Sequence, residues 1–202
     1  MRPVGIARQT SPNGIAFSYS ERLRLSLRGR KVGSKGNIPD MNSVQSLLEP
    51  FIACLYLGML PEAKDELDKL PTKIKTHPDV LEAKLCLLDA TSMLEDQALE
   101  DGVQLGKLSL KLWPLDQRFY VLTTHFLNEQ KKAQEAKEIL KSAPASIRDA
   151  ADFSYQLARC EAQLGNLDQA KRLLKECFAK VESYRERFLS EPEFAPFSHL
   201  WN

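Results

Sequence analysis

Cysteine and histidine are the residue types in this sequence whose chemistry could support catalysis, redox sensing or zinc binding. The four cysteines lie far apart in the chain, at Cys54, Cys86, Cys160 and Cys177. The three histidines are His77, His125 and His199. No C-x-x-C pair occurs, and no histidine lies near a pair of cysteines. Zinc sites and disulfide frameworks depend on such close spacings, so we predict neither a metal site nor a disulfide framework.

The sequence also lacks the short motifs of common catalytic and nucleotide-binding sites. The patterns G-x-x-x-x-G-K-S/T, G-x-G-x-x-G, H-E-x-x-H and G-x-S-x-G are all absent. Each of them holds glycine backbone, a nucleophile or metal ligands at the spacing that its chemistry requires. We therefore expect a protein that is not an enzyme, that has no catalytic residues and that needs no cofactor.

Basic residues are concentrated at one end of the chain. The net charge is only +1, but residues 1–42 contain eight Arg or Lys residues and two acids, Glu21 and Asp40. This segment also holds five of the nine glycines and shows no helical pattern of apolar residues. Because such a composition buries little apolar surface, we predict a disordered N-terminal arm. Its charge leaves two alternatives open, an organelle-targeting segment or an arm that binds nucleic acid.

The apolar segments are too short for a membrane protein. The longest run of apolar residues and glycine is FIACLYLGML, residues 51–60, which cannot span a bilayer. The N-terminus lacks the apolar core of a secretory signal, and the scattered cysteines fit a reducing compartment. The prediction is a soluble, cytoplasmic protein.

From Asn42 onward, one small residue recurs at a nearly constant interval. It is found at Ala63, Gly102, Ala136 and Ala170, with separations of 39, 34 and 34 residues. Each lies five positions after a turn between two helical segments, where a larger side chain would overpack the crossing of the two helices. The interval therefore predicts helix–turn–helix units in tandem.

This pattern resembles the tetratricopeptide repeat family, which has a period of 34 residues. The aligned repeats span residues 44–77, 83–116, 117–150 and 151–184. The turn glycine of the family is matched by Gly58 and Gly165, whereas Gln97 and Lys131 replace it in the other two repeats. The closing proline is matched once, by Pro114. The resemblance implies an all-α, right-handed solenoid of paired helices.

The resemblance also implies an organisation for the chain. The array would cover residues 43–188, and residues 189–202 would cap it. We expect a short helix from about Pro192, with Phe194, Phe197 and Leu200 packed on the last helix of repeat four. All four cysteines fall at core or small-residue positions of the family, which implies that they pack as small apolar groups.

The spacing of apolar residues predicts eight helices. They span residues 44–57, 61–70, 78–95, 98–112, 116–130, 133–142, 147–164 and 167–188. Pro78 suits the first turn of a helix, with His77 before it as a cap or loop residue. Pro50 lies inside the first helix and is expected to kink or shorten it.

The resemblance implies a non-catalytic scaffold or adaptor that binds a peptide or helix in a concave groove. The residues expected to line this groove are Leu48, Ile52, Leu55, Tyr56, Leu87, Arg118, His125, Asn128, Tyr155 and Arg159. The apolar part of a protein partner would lie on Leu48, Ile52, Leu55 and Leu87. An acidic group would lie near Arg118, His125 and Arg159, since arginine can hold a carboxylate in a two-pronged bond.

Three alternatives to this interpretation stay open. The array could recruit substrates for an enzyme complex. The apolar first repeat could join two copies of the chain in a homo-oligomer. The basic arm could attach the protein to nucleic acid, although nucleic acid is not the partner that we expect.

Overall fold

The computed structural model describes residues 41–185, 188 and 191–195. This part of the chain consists of helices and turns, and no strand occurs within it. The predicted all-α fold of consecutively packed helices is therefore confirmed for the described residues. The predicted arm, residues 1–42, lies outside them, apart from the start of a helix at Met41.

The chain divides into two compact units, residues 1–95 and 96–202. The boundary falls inside the second predicted repeat. The helices of the first unit are α1 (Met41–Tyr56), α2 (Leu60–Asp68) and α3 (Pro78–Thr91), with a 3-10 turn at Thr72–Ile74. Helix α1 packs on α2, and both helices pack on α3.

The second unit contains the third and fourth predicted repeats. Its helices are α4 (Gln97–Leu112), α5 (Gln117–Glu129), α6 (Ala133–Ser142), α7 (Ala151–Gln163) and α8 (Leu167–Lys180), with a 3-10 turn at Ala145–Ile147. Helix α5 packs on α4, α6 and α7, and α7 also packs on α6 and α8. Each helix therefore contacts its neighbour in the chain, and the first helices of repeats three and four contact each other.

The turns within repeats one, three and four use the left-handed backbone conformation. In repeat two the equivalent residue, Gln97, is instead the first residue of α4. Gly58 has φ +73° and Gly165 has φ +81°, which glycine adopts without a steric cost because it has no Cβ atom. Lys131, which replaces the turn glycine in repeat three, has φ +61°. The turn conformation is thus present in repeat three although glycine, which favours it, is absent there.

Helices α4 and α5 approach closely at two glycines. A Cβ atom added to Gly102 would lie 2.4 Å from the ring of Phe126. One added to Gly106 would lie 2.3 Å from Oγ1 of Thr123 and 3.2 Å from its Cα atom. Ala63, Ala136 and Ala170, the other small residues of the repeat, are completely buried. Small side chains are therefore needed at these positions because the neighbouring helix fills the space.

Three helices differ from their predicted bounds by four residues or more at one end. Helix α3 ends at Thr91 and is followed by a turn, and the hydroxyls of Thr91 and Ser92 donate to backbone carbonyls of its last turn. Helix α7 begins at Ala151, after the 3-10 turn at Ala145–Ile147. Helix α8 ends at Lys180, where Val181 turns to an extended conformation.

The predictions for the two prolines, Pro78 and Pro50, have different outcomes. Pro78 occupies the first turn of α3, and His77 caps that helix by accepting a hydrogen bond from the Asp79 amide at 3.3 Å. This part of the prediction is confirmed. Helix α1 contains Pro50 and continues to Tyr56, so the prediction that Pro50 shortens the helix is wrong.

Candidate functional site

The side chain of Arg159 is the centre of a buried ionic cluster in the second unit. Arg159 lies in the middle of α7 and is 1% exposed. Its Nη2 atom lies 2.7 Å from Oε1 of Glu129, at the end of α5, and 3.2 Å from Oε2 of Glu191. Its Nε atom lies 2.5 Å from Oε1 of Glu193. One guanidinium group thus pairs with three carboxylates.

His125 on α5 contributes a fourth contact to the same guanidinium. Its Nδ1 atom lies 3.0 Å from Nη1 of Arg159. Because a guanidinium can only donate, Nδ1 accepts this hydrogen bond and the imidazole is neutral in this geometry. His125 therefore orients the arginine side chain, whereas the three glutamates balance the positive charge of the guanidinium.

The charges within the cluster stabilise each other. Burial alone would lower the pKa of Arg159, but Glu191, Glu193 and Glu129 raise it above its usual value. Burial alone would raise the pKa of the Glu129 carboxyl, but neighbouring His125 and Arg159 lower it to about 2. Of these two, Arg159 carries the attraction, because it is charged and hydrogen-bonded to Glu129. Both partners are therefore ionised at neutral pH.

A layer of buried polar side chains joins α5 and α7 next to this cluster. Nδ2 of Asn128 donates to Gln156 at 3.1 Å, and the Cys160 thiol donates to Oδ1 of Asn128 at 3.3 Å. Nε2 of Gln163 donates to the Asn128 carbonyl at 3.0 Å. Burial raises the pKa of Cys160 to about 12, so its thiol stays protonated and is not a nucleophile. These bonds fix the register of the two helices.

Residues 191–195 lie against this face of α5 and α7. They include a 3-10 turn over residues 192–195. Glu191 and Glu193 pair with Arg159, and Gln163 also donates to Glu193 at 3.3 Å. Phe194 is fully buried. Two acids and one aromatic ring thus hold this segment in place.

The aromatic part of the contact belongs to the core. The ring of Phe194 meets the ring of Tyr155 edge-on at 5.8 Å and stacks on Phe188 at 5.2 Å. These rings join one apolar cluster with residues of α8, including Leu174 and Phe178. The expected burial of Phe194 is confirmed, although the segment forms a 3-10 turn at Pro192 and contacts α7 as well as α8. Phe197 and Leu200 lie outside the described residues.

The structure brings together four of the predicted groove residues in the second unit. His125, Asn128, Tyr155 and Arg159 all lie on α5 and α7 and are buried. Arg118 lies at the start of α5 and forms a two-pronged ion pair with Asp116, with Nη2 at 2.5 Å from Oδ2 and Nε at 2.9 Å from Oδ1. The acidic groups beside both arginines are supplied by this chain itself.

The other predicted groove residues belong to the first unit. Leu48, Leu55 and Leu87 are buried in its core, and Ile52 is half-buried. Tyr56, at the end of α1, is 54% exposed. Of these five side chains, Tyr56 offers the most surface to a partner.

Glu191 and Glu193 were not among the predicted site residues. The available signal was their spacing, because two acids that flank Pro192 precede an aromatic residue already expected to be buried. Their partner Arg159 lies more than 30 residues away in the chain, and no helical period connects the two positions. Only the folded structure shows that they meet.

Two classes of site receive no support within the described part of the chain. No group of three or more histidine, cysteine, aspartate or glutamate side chains there could hold a metal ion. No helix there is long and apolar enough to cross a membrane. Cys86, Cys160 and Cys177 are buried thiols, and Cys54 is partly exposed.

Comparison with known proteins supports the resemblance seen in the sequence. Residues 127–180, which cover the end of α5 and all of α6, α7 and α8, match the family model of the tetratricopeptide repeat. The predicted resemblance is therefore confirmed, and the matched segment contains Arg159 and the helices around it. A comparison with curated proteins found no match for the chain.

Proposed function

We propose that this chain, whose residues 127–180 are a tetratricopeptide segment, is a non-catalytic scaffold that binds a peptide or helix of a protein partner. Repeats of this family are typically protein-interaction modules without catalytic activity. The observation that carries the proposal is the contact between residues 191–195 and the face of α5 and α7. This face has the chemistry to hold a short peptide segment through ion pairs and a buried ring.

In the proposal, each unit contributes its own binding residues. In the second unit these are Arg118, His125, Asn128, Tyr155 and Arg159, which orient or contact an acidic and aromatic segment. In the first unit they are Leu48, Ile52, Leu55, Tyr56 and Leu87, of which Tyr56 contacts the partner directly. The buried leucines shape the surface beneath it and do not need to touch the partner.

Site-specific crosslinking of the full chain tests this proposal in the first unit. A photoreactive phenylalanine analogue replaces Tyr56 on α1, and a matched variant carries it at the exposed Lys64 on α2. Both positions are exposed, so both variants should fold like the parent. Mass spectrometry then identifies the proteins that are linked to each position in a cell extract.

The proposal predicts a protein that is crosslinked at position 56 and not at position 64. A synthetic peptide from its linked segment should then bind the purified parent chain and compete with the crosslink. Crosslinking to the same proteins at both positions, or at position 64 alone, would contradict this placement of the binding surface.

A further inference from the structure

We propose that the face of α5 and α7 around Arg159 is a binding site for a partner segment with the pattern acid, any residue, acid, aromatic, and that residues 191–194 occupy it until such a segment replaces them. The inference rests on the proposed scaffold function and specifies the chemistry of the partner. It is carried by the contacts of Glu191, Glu193 and Phe194 with this face.

The described contacts of this segment come from three side chains on one short turn. Glu191 and Glu193 reach Arg159, and Phe194 reaches Tyr155, whereas Pro192 and Ala195 are exposed. Another peptide with the same alternation of inward and outward side chains can make the same contacts. The site therefore recognises a pattern of side chains and not this particular segment.

The Arg159 side chain also keeps two of its partners when the segment leaves. Arg159 retains the carboxylate of Glu129 at 2.7 Å and the imidazole of His125 at 3.0 Å. A buried guanidinium with no counter-charge would be strongly unfavourable, but one with a single carboxylate is balanced. Release of residues 191–194 thus leaves no isolated buried charge on α7.

The present occupant, residues 191–194, also does not fit the site fully. Three carboxylates surround one guanidinium, so like charges repel each other within the cluster. The Oε2 atom of Glu193 is buried and has no hydrogen-bond partner among the described residues. An unsatisfied buried oxygen lowers the stability of the closed arrangement. Another segment of the same pattern can therefore compete for the site.

The segment in the same chain has a large advantage in concentration. A short connection to α8 gives it an effective concentration of about 1 mM. If a separate peptide binds the open site with a dissociation constant of about 100 μM, occupation by the chain's own segment weakens its apparent affinity roughly tenfold. The quantity to be measured is therefore the ratio between the dissociation constants of the peptide for the occupied site and for the open site.

The test uses the full chain and a fluorescent peptide, LSEPEFAP, which copies residues 189–196. The parent is compared with an open variant that carries Glu191→Gln, Glu193→Gln and Phe194→Ala. A second open variant carries only the two glutamine changes, which preserve side-chain size, in case loss of the Phe194 ring prevents folding. Circular dichroism establishes which variants fold, and fluorescence anisotropy measures binding of LSEPEFAP and of a control peptide, LSQPQFAP.

The inference predicts that a folded open variant binds LSEPEFAP at least about ten times more tightly than the parent does. It also predicts that the same variant binds LSQPQFAP far more weakly. Equal affinity of parent and open variant for LSEPEFAP, or equal affinity of the open variant for the two peptides, would overturn the inference.

Hydrogen exchange on the parent provides a measurement that needs no variant. Several millimolar unlabelled LSEPEFAP should accelerate exchange of the amides of Glu191, Glu193, Phe194 and Ala195, because the peptide displaces this segment. Unchanged exchange would overturn the inference. If the peptide fails in both measurements while the crosslink at position 56 still finds a partner, the scaffold function stands and only this inference is wrong.

Discussion

Lys131 shows how a single residue can retain the conformation of a repeat turn without its usual glycine. Its φ of +61° lies in the region that costs an L-residue about 1–2 kcal/mol. Gly165, at the equivalent turn of repeat four, has φ +81° and incurs no such cost. The packing of α5 and α6 therefore holds Lys131 in a strained conformation.

Lys131→Gly should stabilise the protein by up to about 1 kcal/mol, since relief of backbone strain exceeds the added freedom of the unfolded chain. Gly165→Ala should destabilise it by about 1 kcal/mol. A Cβ atom at position 165 meets no atom within 4 Å, so this cost reports the backbone alone. Urea denaturation followed by circular dichroism measures both changes.

Lys132→Gly is the matched control, because Lys132 is exposed and has an ordinary φ of −91°. This variant should not stabilise the protein. Equal stabilisation by glycine at positions 131 and 132 would show that the turn is not strained.

The turn positions could be predicted from the sequence because the 34-residue interval locates residue 131 even without a glycine. The pairing of Arg159 with Glu191 and Glu193 could not be predicted, since it joins residues about 30 positions apart across a change of element. A single arginine is not part of a repeating pattern from which its partners could be predicted. What it contacts depends on where the chain turns after α8, which local patterns do not determine.

At the scale of helices, Gly102 and Gly106 explain how α4 and α5 pack. The equivalent of Gly106 in the other three repeats is a leucine, at Leu67, Leu140 and Leu174. In α4, Thr123 of α5 occupies the space that such a leucine would need. The apparent departure from the repeat pattern is thus a consequence of close helix packing.

Gly106→Leu should therefore destabilise the protein by about 1–3 kcal/mol, although it restores the residue found in the other repeats. The added side chain would push the backbones of α4 and α5 apart. Gln104→Leu, at an exposed position on the same helix, is the control and should have little effect. Thermal melting that shows no difference between the two variants would contradict the close approach.

Ala136→Trp and Ala170→Trp test the same principle within repeats three and four. Both alanines are completely buried, and each variant should lose at least about 1 kcal/mol of unfolding free energy through overpacking. Leu167→Trp, at an exposed position of α8, controls for the bulk of the indole. Two variants that melt like the parent would show that the repeat alignment is wrong.

Helix positions were predictable because apolar spacing and small residues recur along the chain. Helix ends were less predictable, because they depend on single interactions. Helix α3, for example, ends at Thr91, four residues before the end that the apolar pattern predicts. The register of α5 against α7 depends on buried partners such as Asn128 and Gln156, which the pattern alone did not pair.

At the scale of the whole molecule, the net charge is small, but the charged residues are distributed unevenly along the chain. The chain has 28 basic and 27 acidic residues, and eight of the basic residues lie in residues 1–42. Within the second unit, acids exceed bases around Arg159. The response of the protein to acid should therefore depend more on this buried cluster than on its net charge.

The free energy of unfolding should fall as the pH is lowered from about 4.5 towards 2. The Glu129 carboxyl has a pKa of about 2 in the folded protein and 4.5 as an ordinary glutamate. Its stabilising contribution is thus fully present above pH 4.5. This contribution is lost as the carboxylate becomes protonated at lower pH. Urea denaturation at a series of pH values measures this loss.

Glu129→Gln should be less stable than the parent at neutral pH, and the difference should shrink between pH 4.5 and pH 2. Glu138→Gln, at an exposed position on α6, controls for loss of one carboxylate on the surface. A constant difference between parent and Glu129→Gln over this range would show that the pairing with Arg159 contributes no stability.

The single guanidinium shared by three carboxylates also constrains how the sequence can change over evolutionary time. Loss of Arg159 would leave three carboxylates without their shared cation at once, whereas loss of one glutamate leaves the others paired. In a lineage descended from this chain, the acids can be replaced one by one, but the arginine can be replaced only after them. Intermediate sequences in such a lineage should therefore lose the glutamates before they lose the arginine.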